Sequence, residues 1–131
     1  MDNQITDYKK WILKANEDLK WTEGNLKEKI WFGACFTSQQ AAEKALKAYL
    51  IKEGKEPIKV HDLEVLLRRC IKIDGSFQSL KLKSVTLTDY YAPTRYPDID
   101  VFVDFTEEKA EEAYQFAKEI VEFVESKLEN S

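Results

Sequence analysis

Apolar residues recur at helical spacing along most of this chain. Across residues 5–28, Tyr8, Ile12, Ala15, Leu19, Thr22 and Leu26 fall on one face, which predicts a first helix. Trp11 flanks that face. Trp21 lies roughly 140° from its centre at 100° per residue, so it needs a neighbouring helix or a partner. Residues 31–53 predict a second helix, with Phe32, Cys35, Gln39, Ala42, Leu46, Tyr49 and Leu50 as its stripe. Gly54 follows as a C-terminal stop, and Pro57 reinforces it. From His61 to Lys72, Leu63, Leu66, Leu67, Cys70 and Ile71 supply the buried face of a short third helix. His61 or Asp62 is placed to cap it.

Residues 76–91 fit two patterns. SLKLKSV alternates like a strand, while Phe77, Leu80, Leu87 and Tyr91 keep helical spacing. No second strand exists to pair with, so a helix is expected. Residues 92–105, with Pro93 and Pro97 close together, predict a loop. Thr106 can cap a last helix whose Glu107 and Glu108 suit its positive end. Its main stripe is Ala110, Ala113, Tyr114, Ala117, Val121, Val124 and Leu128. Phe116, Ile120 and Phe123 form a second, offset stripe, as in a helix that is central or buried at an interface. The expected fold is a single all-α domain over 1–131. It is an antiparallel up-and-down four-helix bundle with a short additional helix in the middle connection.

Composition agrees with this. The 131 residues are 44% hydrophobic and 34% charged, as in a folded globular chain. Only 4 Gly and 3 Pro are present, too few for the turns of an all-β sandwich. The net charge is −4, and most of the acidity sits after residue 105, which argues against a dedicated duplex-binding protein. The earlier segments are near neutral and leave room for a local basic site. Neither a signal core nor a membrane-length apolar run is seen, so a cytoplasmic protein without membrane contact is expected. Cys35 and Cys70 lie in apolar stretches with no Cys/His cluster, so no metal and no cofactor are expected.

Three polar features remain. Gln39, Glu43 and Lys47 line up at i, i+4, i+8, and Glu43 before Lys47 is the favourable ion-pair order. Spacing alone favours a helix-surface salt bridge over the polar wall of a cleft. His61 is the only histidine, and it is either a capping residue or a phosphate, base or acid–base group. The segment 87–98, LTDYYAPTRYPD, gathers Tyr90, Tyr91, Arg95, Tyr96 and Asp98. Arginine offers a planar fork to phosphate and tyrosine a face to bases. A packed corner, with Arg95 pairing Asp98, explains it equally well.

Together, QQAAEKALKA at 39–48, HDL at 61–63 and YYAPTRYPD at 90–98 resemble the HEPN domain (higher eukaryote and prokaryote nucleotide-binding). The order and spacing of these motifs cover nearly the whole chain. The resemblance implies a helical bundle that is usually a homodimer. It also implies a toxin–antitoxin-type pairing with a minimal nucleotidyltransferase. Some HEPN proteins are metal-independent ribonucleases marked by Arg, four to six residues, then His. Here no His follows Arg95, so a non-enzymatic module that binds a nucleotide or a partner is expected.

On this reading Lys47, His61, Tyr91, Arg95 and Tyr96 face the ligand. Arg95 and Lys47 hold phosphate, and Tyr91 or Tyr96 stacks on the base. Gln39, Glu43 and Asp98 support them. Trp21, Phe116, Ile120 and Phe123 form the dimer interface. One alternative is a ribonuclease toxin that uses Arg95 and His61 in a non-standard arrangement. Another is a purely structural partner-binding bundle.

Overall fold

The computed structural model describes residues 7–56, 59–95 and 104–129, with only the backbone given for 92–95. Every element among them is helical. The order is α1 (Tyr8–Lys27), α2 (Trp31–Lys52), α3 (Leu63–Ile73), a 3-10 segment (Gly75–Leu80), α4 (Lys81–Arg95) and α5 (Glu107–Glu129).

The ends are set by local chemistry. Asp7 caps α1 by accepting from the Lys9 N–H. Asp62 caps α3 through the Glu64 and Val65 N–H groups, which leaves the His61 ring for other contacts. Thr106 caps α5 through the Lys109 N–H, as expected. At the end of α2, Gly54 adopts φ 82°. Its N–H reaches Ile51 O, and the next N–H, of Lys55, reaches Leu50 O. That is the two-bond left-handed stop that glycine favours.

α1, α2, α4 and α5 run up and down. Thr22 meets Thr37 while Lys47 stands over Trp11, so α1 and α2 are antiparallel. Tyr90 meets Glu112 and Lys83 meets Glu119, so α4 and α5 are antiparallel. Asn16 meets Glu125 and Tyr114 meets Glu23, which sets α5 antiparallel to α1. α2 lies at the centre, with a largely buried run from Ala34 to Ile51. Ala34, Ala41, Ala42, Ala45 and Ala48 are fully buried along it, and their small side chains let the other helices approach closely. At Gly33 a Cβ would lie 3.0 Å from the Ile30 side chain and 3.1 Å from Asn25 Nδ2, so only hydrogen fits without a shift.

Phe77 is fully buried and closes one end of the core. Its ring lies 4.5 Å from that of Tyr49 and 5.0 Å from that of Phe123. A phenylalanine fully withdrawn from water contributes about 1.5–3 kcal/mol.

Four expectations are corrected. Residues 75–80 form a 3-10 segment before α4, with Ser76 held by Asp74. α4 extends to Arg95, so Pro93 lies in its last turn and not in a loop. There the missing N–H costs one bond near a helix end instead of breaking the middle. Ile120 is fully buried inside the protomer, and Phe123 packs on Phe77, because α5 faces α2 and the 3-10 segment as well as α1. The second stripe of α5 thus serves the core, with Phe116 half-buried at its edge. Phe32, expected in the α2 stripe, is instead 57% exposed beside Phe105.

Candidate functional site

The polar line on α2 is interior. Gln39, Glu43 and Lys47 are 1%, 3% and 4% exposed, so the surface salt bridge favoured by spacing is replaced by a buried one. The central position of α2 is the reason, because nearly every side of it is covered. Glu43 Oε2 accepts from Lys47 Nζ at 2.9 Å. The Lys47 ammonium also stands 5.5 Å from the centroid of the Trp11 ring, whose negative face attracts it. Taking both charges out of water is costly, and close pairing offsets that cost.

The same oxygen, Glu43 Oε2, lies 2.8 Å from His61 Nδ1. A carboxylate only accepts, so Nδ1 carries the hydrogen and donates it. The His61 side chain is 58% exposed. A neutral imidazole held this way has Nε2 as a lone-pair acceptor on the solvent side. A protonated one has a second N–H there. A carboxylate that orients an imidazole in one tautomer is also the arrangement that acid–base sites use.

Further acceptors lie nearby. Glu43 Oε1, Gln39 Oε1 and Ser84 Oγ are buried and have no hydrogen-bond partner among the described residues. Ser84 lines a cleft of about 300 Å³ between α3 and α4 that begins at Asp62, the residue after His61. Glu64, Leu67, Arg68, Lys81 and Thr88 also line it, so the cleft offers two cations, two carboxylates, hydroxyls and an apolar wall.

Tyr91 stands beside an earlier part of α2. Its ring stacks on Phe36 with centroids 5.7 Å apart and planes at 25°. Phe36 precedes Glu43 by seven residues, about 10 Å of helix. The expected ligand residues therefore string along α2 and do not converge on one point. Lys47 is corrected outright: its ammonium is committed to Glu43 and Trp11 and is closed to a phosphate. Arg95 ends α4 one turn after Tyr91. Tyr96 and Asp98 lie outside the described residues. Trp21 is 57% exposed.

The sequence reading missed Ser84 and the part played by Trp11. Trp11 was legible as a flanking aromatic on α1, but nothing in the spacing placed it under Lys47. The cysteines supply no nucleophile. Burial pushes the Cys35 thiol up to about 11 and the Cys70 thiol up to about 12. No helix among the described residues is long and apolar enough to cross a membrane.

A family model described as "HEPN domain" matches residues 8–127. A protein of Methanocaldococcus jannaschii named "Putative toxin MJ1304" is 29% identical, covering 92% of this chain and 87% of its own length. Two crystal structures share the fold. TT1696 from Thermus thermophilus is 32% identical with a TM-score of 0.80, over 96% of this chain and 99% of that one. ST0689, titled an archaeal HEPN homologue, is 29% identical with a TM-score of 0.74, over 92% and 96%.

Proposed function

This chain belongs to the HEPN domain family, and we propose that it is a nucleotide-phosphate-binding module of a toxin–antitoxin-type system with a minimal nucleotidyltransferase as partner. The toxin-like role is supported by the similarity to the M. jannaschii protein named a putative toxin. The single observation behind the binding site is the exposed imidazole of His61 held by the buried Glu43 carboxylate at 2.8 Å. A fixed ring with an exposed edge, one residue from a cleft that holds Arg68 and Lys81 beside Asp62 and Glu64, suits a phosphate or a base edge. In this reading His61 contacts the ligand, Glu43 and Lys47 position His61, and Arg95 and Tyr91 extend the site along α4. The working form is a homodimer, favoured by the exposure of Leu13, Trp21 and Phe32 at 59%, 57% and 57%.

Calorimetric titration with ATP and GTP tests the site. Wild type is expected to bind, and Arg95→Ala to bind about 10- to 150-fold more weakly, the equivalent of about 1.5–3 kcal/mol for a charge-assisted contact. Unchanged binding by a folded Arg95→Ala protein would make Arg95 part of a packing corner. Light scattering tests the dimer, and co-purification with the nucleotidyltransferase tests the partner.

A second reading, a ribonuclease toxin, draws on the same contact. An imidazole oriented by a carboxylate is equipped to move a proton, although the Arg-to-His spacing of the ribonuclease signature is absent. RNA cleavage that disappears in both Arg95→Ala and His61→Ala would establish it.

A further inference from the structure

The face formed by α3 and α4 carries a pattern that the His61 contact does not use. Its cleft holds Asp62 and Glu64 at the start of α3, Arg68 one turn after Glu64, and Lys81 at the start of α4. Two carboxylates and two cations leave it with no net charge. Leu67, Ile71 and Val85 supply an apolar wall. Leu82 is the most exposed large apolar side chain among the described residues, at 75%, and Val85, its neighbour one turn on, is 45% exposed. His61 is not among the residues that line the cleft, so its ring sits at the rim.

The fold sets these groups outward. Leu63, Leu66 and Cys70 face the core from α3, which leaves Glu64 and Arg68 in solvent. Leu80 and Leu87 face the core beside them, which leaves Leu82 and Val85 outside. The ion pair between Glu64 and Arg68 is long, 3.7 Å, and both side chains are exposed, so it contributes little and its members are open to other partners.

A two-fold axis uses this order. Where two copies of α3 meet antiparallel, Glu64 of one chain comes opposite Arg68 of the partner subunit, and the reverse pair forms at the same time. Such a contact is self-complementary and closes at two subunits. Leu82 of each chain then meets the apolar wall of the facing cleft. Other faces suit a second copy less well. α5 carries eight Glu against three Lys, and the groove on the far side of α3 sets Lys55, Arg69 and Lys72 against Glu56. Each of these would meet itself as like charge, which is costly at an interface.

We propose that the α3–α4 face is the docking surface for a second copy of this chain, with Glu64 and Arg68 paired across a two-fold axis and Leu82 seated in the facing cleft. The proposal rests on the homodimer reading and deepens it by naming the face. The imidazole of His61 then stands at the edge of the contact in both subunits.

Sedimentation equilibrium on the full chain tests this, with Leu82→Lys, Glu64→Lys, Arg68→Glu and an equal mixture of the last two. All three side chains are exposed, and thermal melts confirm folding. Each single variant is expected to self-associate at least about tenfold more weakly than wild type, because like charges or a buried ammonium then face each other across the axis. The mixture is expected to associate about as tightly as wild type, since a mixed dimer has opposite charges at both contacts. Damage to α3 itself, where Glu64 and Arg68 also pair within one chain, is not repaired by mixing. A mixture no better than its components therefore overturns the two-fold pairing. A dimer that all the variants keep at wild-type strength overturns the face and leaves the homodimer standing, with Leu13 and Trp21 of α1 as its contact. A wild type that stays monomeric ends both readings, and the cleft is then left to a helix of another protein.

Discussion

His61 Nδ1 and Glu43 Oε2 lie 2.8 Å apart, and the contact ties the approach to α3 to the centre of α2. Eighteen residues separate the two in sequence. One partner is 58% exposed and the other 4%. The carboxylate is fixed by its burial and by Lys47, so the ring inherits its orientation from the core and not from its own surface. A site formed this way is pre-set before any ligand arrives.

Glu43→Gln should destabilise the protein by about 3–5 kcal/mol, because the Lys47 ammonium would stay buried without a countercharge. Lys47→Met should cost a similar amount for the mirrored reason. The double replacement Glu43→Gln/Lys47→Met should recover most of the loss, since no charge is then left inside. Urea unfolding of the four proteins measures this. Additive losses in the double variant would show that the two side chains act independently.

His61→Ala should behave differently. The ring is exposed and Glu43 keeps Lys47, so the stability loss should stay below about 3 kcal/mol, the upper end for a hydrogen bond to a charged group. Ligand binding should fall clearly. A variant that loses stability as Glu43→Gln does, yet still binds ATP normally, would make His61 a structural tether. Urea unfolding and calorimetry on the same preparation separate the two outcomes.

Cys35 and Cys70 should not react with a thiol reagent near pH 8 while the protein is folded. Both thiols are buried and raised well above the ordinary range, to about 11 and about 12, so almost no thiolate exists at that pH. In denaturant both should react fully. Fast labelling of one thiol in native buffer would mean that its helix opens locally.

Asp74 gives a pH-dependent prediction. Its carboxylate bonds Lys127 Nζ at 2.8 Å and both the side chain and the backbone N–H of Ser76. The Lys127 bond, followed by those from Ser76, lowers its pKa from 3.8 to about 2. A carboxyl depressed by folding stabilises the protein above its unfolded value, and the contribution fades as pH falls from about 3.8 to about 2. Wild type should therefore be more stable than Asp74→Asn above about pH 4, and the two should converge near pH 2. A constant gap across that range would assign the effect to packing of the 3-10 segment.

Much of the fold was legible because periodicity reports burial directly. The stripes of α1 and α3 hold: Ala15, Leu19 and Thr22 are buried, as are Leu63, Leu66, Leu67 and Cys70. Periodicity failed where a helix is covered on nearly all sides. On α2 the polar line counted as surface because its residue types are usually solvated, and only the three-dimensional position of the helix reveals the burial. On α5 the second stripe suggested an interface, because the sequence does not say that the 3-10 segment brings Phe77 under Phe123. Pro93 misleads, since a proline rule for helix interiors does not carry to a last turn. The Glu43–His61 contact has no local signal at all: the two residues stand eighteen apart, and only tertiary packing joins them.

The burial of Gln39, Glu43 and Lys47 has a consequence for descent. These side chains are part of the core, so a lineage in which the protein changed its role would still be held to them by the need for a stable fold. Their persistence in a relative would therefore say little about what that relative does. His61 is under a weaker restraint, being exposed. Across descendants of a common ancestor, its replacement would be the earlier and more telling mark of a changed role.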